Sequence, residues 1–156
     1  MRASIHLGNT ELQRWFVAYD QNAQARVALM EGDQLTDDKA FETKRAFGHR
    51  LSLESLKPIS VPSAQASFLL SFDEDGNRDT KYFSVVTFSP GGLDIKLFVS
   101  AFSGKAEVLD NPFRVCIWEK LRENPNPNRY KVTEYRLLNI NSTKLARVQE
   151  ETKTSE

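Results

Sequence analysis

Cysteine, histidine and long apolar runs are scarce in this chain of 156 residues. Its single cysteine, Cys116, excludes an internal disulfide and is typical of a reducing compartment, so we expect a cytoplasmic protein. No apolar run approaches the roughly 18 residues that a membrane-spanning helix requires. Because the N-terminal stretch also lacks an apolar core of the secretory type, we expect neither a signal peptide nor a membrane partner.

A charge bias is missing as well. The 21 basic and 21 acidic side chains cancel, which argues against a general attraction to nucleic acid or to membranes. The distribution is less even, because residues 112–148 carry eight Lys or Arg against three Asp or Glu. The length and composition are those of one globular domain, which we place at residues 1–148, followed by a polar, frayed tail over 149–156.

The most informative stretch present is 67–102, which predicts three antiparallel strands in a meander. Phe68, Leu70 and Phe72 alternate with other residues, as expected for a strand. The next run, 82–88, is almost wholly apolar and indicates a strand covered on both faces. The turns between the strands contain Gly76 and the sequence Ser-Pro-Gly-Gly that starts at Ser89, both typical of tight turns.

The flanking segments predict a mixed fold. Residues 11–32 favour a hairpin, although the spacing of Trp15, Phe16 and Tyr19 also suits a helix. Residues 35–50 and 111–123 predict the two main helices, the second because Asn111-Pro112 resembles a helix start. The expected fold is therefore α+β, with an antiparallel sheet of about five or six strands.

The acidic stretch 73–79 is the clearest candidate for a metal site, since calcium binds clustered carboxylate oxygens. Its glycine stands at the wrong position for the helix-loop-helix calcium pattern, and Arg78 places a cation inside the stretch. We therefore predict a hairpin tip. Cys116 lies on an apolar stripe, which predicts a buried and unreactive thiol. The sequence indicates no catalytic residue, no metal and no cofactor.

A basic and aromatic segment near the C-terminus is the candidate partner-binding site. Its residues are Arg122 on the predicted helix and Arg129, Tyr130, Lys131, Tyr135 and Arg136 on the following strand. The alternation of this strand slips near Glu134, which predicts a bulge, and prolines precede it; both features favour the margin of a sheet.

Three classes of function remain open at this point. The first is a non-enzymatic module that binds another protein, or a second copy of itself, at an exposed sheet edge. The second is a single-stranded nucleic-acid-binding protein, because cations interleaved with aromatic rings can hold phosphates and stack bases. The third is a small enzyme whose carboxylate-based site is assembled only by the fold.

Overall fold

The structure is a computed structural model, and it describes residues 3–7, 14–21, 24–41, 51–121, 129–139, 142 and 144–154. Within these residues the protein is all β. Twelve strands form three antiparallel sheets of four strands each, and no helix occurs in the described part of the chain.

Each sheet is a run of neighbouring strands in chain order. The first contains β1 (Ala3–His6), β2 (Arg14–Gln21), β3 (Gln24–Glu31) and β4 (Gln34–Ala40). The second contains β5 (Leu51–Ile59), β6 (Ala66–Glu74), β7 (Asn77–Ser89) and β8 (Gly92–Phe102). The third contains β9 (Lys105–Leu109), β10 (Arg114–Lys120), β11 (Arg129–Arg136) and β12 (Ala146–Thr154). Such sequential order keeps the connections short.

The second sheet is the middle layer, because it contributes to two separate cores. On β7, Tyr82 and Val86 belong to the core shared with the first sheet. Phe83 and Val85, on the other face of the same strand, belong to the core shared with the third sheet. Successive side chains of a strand point to opposite faces, so a strand buried on both sides becomes a nearly continuous apolar run.

The first core is rich in aromatic side chains. Phe16 of β2 is fully buried and stacks on Phe68 of β6, with ring centroids 4.3 Å apart and an interplanar angle of 7°. Phe41, which follows β4, packs against Phe72 and Phe98, with ring centroids 5.0 and 5.1 Å apart. These ring pairs hold the first sheet against the second and add to the free energy of burial.

The second core joins the middle layer to the third sheet. Val115 and Ile117 of β10 are buried against Val85 of β7 and Leu97 of β8. The outward edge of β8 is also covered in part, because the Leu145 backbone N–H donates to the Lys96 carbonyl oxygen over 2.8 Å. This bond closes one position on a sheet edge that would otherwise offer its backbone groups to another chain.

The predicted α+β class is wrong. Over 111–121, the segment expected to be the second helix is a turn followed by β10, and the described start of the first is β4 and Phe41. Residues 42–50, 122 and 123 lie outside the described residues. Phe113, Cys116, Ile117 and Leu121 have helical spacing, but Val115 and Ile117 face the second core from a strand. A short apolar run buried on both faces cannot be distinguished from a buried helix by its periodicity.

Other parts of the prediction have mixed outcomes. The meander is confirmed as β6, β7 and β8, and the favoured hairpin over 11–32 as β2 and β3. The loop expected before Asn111 contains β9, and most of the segment expected to fray is β12, which pairs with β11 along its length. Strand β12 was not predicted because all its residues after Ala146 are exposed, so its sequence lacks the alternation of apolar and polar residues that indicates a strand.

No helix of the length and apolar character needed to cross a membrane is present among the described residues.

Candidate functional site

The strand predicted to lie at a sheet margin is internal. Strand β11 pairs with β10 on one side and with β12 on the other, so its backbone groups are already bonded to neighbours. The edges of the third sheet are β9 and β12. The hypothesis that a partner adds a strand beside Arg129–Arg136 is therefore wrong in its premise, because β11 has no open edge.

The predicted partner-binding residues are divided between the two faces of the third sheet. Tyr130 and Arg136 lie on the outer face, which points away from the second sheet. Lys131 and Tyr135 lie on the inner face, where Tyr135 packs against the second core and burial raises its pKa. Arg129 belongs to the same alternate set of β11 residues as Lys131 and Tyr135, on the inner face. Arg122 lies outside the described residues.

The irregularity predicted near Glu134 is present but belongs to the partner strand. Glu134 pairs with Gln149 and Tyr135 with Arg147, so the extra residue is Val148 on β12. Strand β11 itself continues its alternation. The slip inferred from the sequence arises because the strand has apolar side chains on both faces: Val132 is buried on the outer face, and Tyr135 packs on the inner one.

Four side chains form a cation–aromatic cluster on the outer face of the third sheet: Lys105, Trp118, Tyr130 and Lys153. The Trp118 and Tyr130 rings meet edge to face, with centroids 5.8 Å apart and planes at 72°. The Lys105 Nζ atom lies 4.5 Å from the Trp118 centroid and 5.1 Å from that of Tyr130. The Lys153 Nζ atom lies 5.9 Å from the Trp118 centroid. An ammonium over a ring face is attracted by the ring quadrupole.

The strand register explains why the cluster forms. Lys105 of β9 stands opposite Trp118 of β10, and Lys120 stands opposite Tyr130, which in turn stands opposite Lys153. Four strands thus contribute one or two side chains each to two adjacent cross-strand rows. Glu151 pairs with Lys153 over 2.9 Å, and a hydrogen bond from that lysine to Glu151 raises its pKa.

Two of the remaining cations of β11, Lys131 and Arg136, are paired locally. The Lys131 Nζ atom lies 3.2 Å from a carboxylate oxygen of Glu119 and 3.7 Å from one of Glu150. The hydrogen bond to Glu119 raises the pKa of Lys131. Arg136 donates to Glu134 over 2.7 Å. Lys131 and Arg136 therefore already have carboxylate partners.

Cys116 is buried, as predicted, although on a strand rather than a helix. Its side chain lies on the outer phase of β10, and burial raises the pKa of the thiol, as do the nearby carboxylates of Glu134 and Glu107. A raised pKa keeps the sulfur protonated and weakly nucleophilic at neutral pH.

The acidic stretch 73–79 forms the expected hairpin turn, between β6 and β7. Asp73 pairs with Lys81 over 3.2 Å, and Asp75 accepts a hydrogen bond from Ser52 over 3.1 Å. Glu74 is buried and accepts a hydrogen bond from the Tyr82 hydroxyl over 2.6 Å. No group of three His, Cys, Asp or Glu side chains with the spacing of a metal site occurs within the described ranges.

A second outer-face feature lies at the opposite end of the stack, on the first sheet. His6, Trp15, Met30 and Leu35 stand opposite one another in a single cross-strand row, which we call the apolar row. Trp15 is 38% exposed and Leu35 is 44% exposed, and His6 meets Trp15 edge to face at 4.9 Å. Cross-strand neighbours stand about 5 Å apart, so the row is one continuous strip.

Sequence reasoning missed the apolar row and identified Tyr130 alone of the cation–aromatic cluster. Trp15 was noted only for a spacing that also suits a helix, and Trp118 lies within the segment 111–123 that was expected to be a helix. The signal that identifies them is their phase relative to buried neighbours: Trp15 precedes the fully buried Phe16, and Trp118 follows the buried Ile117. Once β2 and β10 are recognised as strands, each tryptophan must point away from the core.

No protein-family model, curated protein or solved structure is significantly similar to this chain.

Proposed function

We propose that this protein is a non-enzymatic binding module that acts through protein–protein contact, and that the apolar row on the first sheet is its docking surface. The observation that carries the proposal is the exposure of Trp15 and Leu35 on either side of Met30 in one row. Isolated exposed apolar side chains are common on protein surfaces, but contiguous ones mark contact sites.

The composition of the row suits a protein partner. Tryptophan and methionine are enriched at the centres of protein interfaces, where large side chains fill pockets on the partner. A Trp15 ring already held by His6 loses less side-chain freedom when a partner covers it. The second copy of this chain and an unrelated protein remain the two kinds of partner, and both would cover the same strip.

Docking on a face replaces the edge pairing expected from the sequence. Both long edge strands at the outside of the stack carry features that discourage strand addition. Strand β12 exposes Arg147, Glu150, Glu151 and Lys153 and has a bulge at Val148. On β4, Asp37 has a positive φ of 51°, and the pairing with β3 is irregular there.

The test is photo-cross-linking from two matched positions. A photoreactive phenylalanine analogue is placed at Leu35, which is 44% exposed, or at Val148 of the third sheet, which is 43% exposed. The proteins are produced in cells of the natural source and irradiated there. We expect a discrete protein adduct from position 35 that disappears when Trp15→Ser is added and that is not formed from position 148.

The adduct must then be reproduced with purified components. The identified partner, or the chain itself, should bind the wild type and lose at least about tenfold in affinity with Trp15→Ser, a loss of about 1.4 kcal/mol. Unfolding curves of the variant verify that it is folded. Identical adducts from both positions, or none from position 35, would show that the apolar row is ordinary surface.

A further inference from the structure

The outer face of the third sheet has a different chemistry from the apolar row. At one end of it, three lysines surround two aromatic rings: Lys105 and Lys153 of the cation–aromatic cluster, and Lys120 opposite Tyr130. Glu151 is the carboxylate on the same two cross-strand rows. The described part of this surface is therefore locally basic, although the whole chain is neutral.

We propose that this end of the outer face, formed by Lys105, Trp118, Lys120, Tyr130 and Lys153, binds single-stranded nucleic acid. Base-stacking platforms on sheets combine aromatic rings with cations that follow the phosphate backbone, and the cluster places two half-buried rings beside cations on neighbouring strands. The lysines of the two outer strands flank the rings of the two inner strands. A strand of nucleic acid that crosses the sheet meets a cation, then a ring, then a second cation.

The spacing fits this ligand. The two ring centroids lie 5.8 Å apart, and the edge-to-face angle of 72° presents two differently oriented surfaces rather than one flat stack. Bases that are splayed apart, as in single strands, can use such surfaces, whereas paired bases inside a duplex cannot. The Nζ atoms of Lys105 and Lys153 lie 4.5 and 5.9 Å from the Trp118 centroid. An incoming phosphate can draw an ammonium away from the ring, because charge-assisted contact with phosphate is the stronger interaction.

The same surface is a poorer match for a protein. The cores of protein interfaces are depleted in lysine, and three lysines around two rings would need acidic partners at several positions. An acidic polypeptide is therefore the competing ligand, and it differs from nucleic acid in offering charge without stacking bases. That difference decides the design of the experiment.

The first measurement is fluorescence anisotropy of labelled oligothymidine and oligouridine, about 12 nucleotides long, at salt concentrations between about 50 and about 200 mM. We expect affinity to fall with salt with a logarithmic slope of about −2, since each neutralised phosphate on a single strand contributes about −0.7. The Lys105→Ser/Lys153→Ser variant should lower the slope to about −0.7. The control, Lys39→Ser/Lys57→Ser, removes the same charge from the first and second sheets and should retain the wild-type slope.

The second measurement reports stacking. In a Trp15→Phe background Trp118 is the only tryptophan, so its emission reports on the cluster alone. We expect the oligonucleotides to quench this emission, polyglutamate to leave it unchanged, and polyglutamate to compete poorly for binding. Thermal unfolding of each variant verifies that it is folded.

Three results would overturn the proposal. They are the absence of oligonucleotide binding by the wild type at the lowest salt, equal loss of binding in the cluster variant and its control, and competition by polyglutamate as strong as that by oligouridine. Because the apolar row lies on another sheet, the photo-cross-linking result and this one can succeed or fail independently.

Discussion

Replacing Phe16 by alanine should destabilise the protein far more than the same change at its neighbour Trp15. Phe16 is fully buried and stacks on Phe68, whereas Trp15 is 38% exposed on the other face of β2. Removing a buried phenylalanine costs about 3–5 kcal/mol, which includes the cavity that remains. Removing a partly exposed tryptophan costs about 1–2 kcal/mol, since only part of its ring is taken out of water.

The assay is urea or thermal unfolding of the wild type, Phe16→Ala and Trp15→Ala. For a chain of this length each kcal/mol lowers Tm by about 2–4 °C, so Phe16→Ala should lower it by about 6–20 °C. The two substitutions are adjacent in sequence, so the comparison tests the strand phase directly. If Trp15→Ala is as costly as Phe16→Ala, then β2 does not turn Phe16 into the core, and the apolar row is misplaced.

Two further changes test the contacts of β4. Gly92→Ala should destabilise by about 1–3 kcal/mol, because Gly92 has a φ of +110° and its Cβ would collide with the Asp37 carboxylate; Gly91→Ala, in open space, should have little effect in the same unfolding assay. Asp38→Asn should cost about 0.5–1 kcal/mol at neutral pH. Burial alone raises the pKa of the Asp38 carboxyl, but hydrogen bonds, led by that from Arg26, lower it overall. The contribution of Asp38 to the free energy of unfolding is therefore present above the unfolded pKa of about 3.9 and is lost as pH falls through the folded pKa. The stabilities of the variant and the wild type should then converge at about pH 2. A difference that persists there would contradict the ion-pair explanation.

The middle layer could be predicted from the sequence because its signals are local. Tight turns at Gly76 and Gly92 separate runs that either alternate or are apolar throughout, and hairpin pairing follows from such turns. The continuous run over 82–88 was correctly interpreted as covered on both faces, and the two cores on either side of β7 are the reason.

The third sheet could not be predicted because its strands lack a simple alternation. Strand β10 is buried at Val115, Cys116 and Ile117 in succession, and this run also satisfies helical spacing. Strand β12 is exposed throughout after Ala146 and resembles a polar tail. The broken alternation near Glu134 and the preceding prolines favoured the margin of a sheet for β11, and with β12 taken for a tail no strand was expected beside it. The edge-docking hypothesis followed from that error.

The candidate surfaces depend on register, which no local pattern reveals. Tyr130 was recognised as a candidate contact, but Lys105, Trp118 and Lys153 lie on three other strands, 12 to 25 residues away in sequence. They come close to Tyr130 only once the hairpins of the third sheet are aligned. The apolar row similarly requires the pairing of β2 and β3 with β4, which sets Trp15 and Leu35 on either side of Met30.

The central claim is that the apolar row is open in the isolated protein and covered by a partner chain. Acrylamide quenching of Trp15 in a Trp118→Phe background measures this directly, because Trp15 is then the only tryptophan. We predict ready quenching in the isolated protein, as its 38% exposure requires, and strong protection in the complex recovered by cross-linking. Emission that is shielded in the isolated monomer, or that is quenched equally in the complex, would contradict the account.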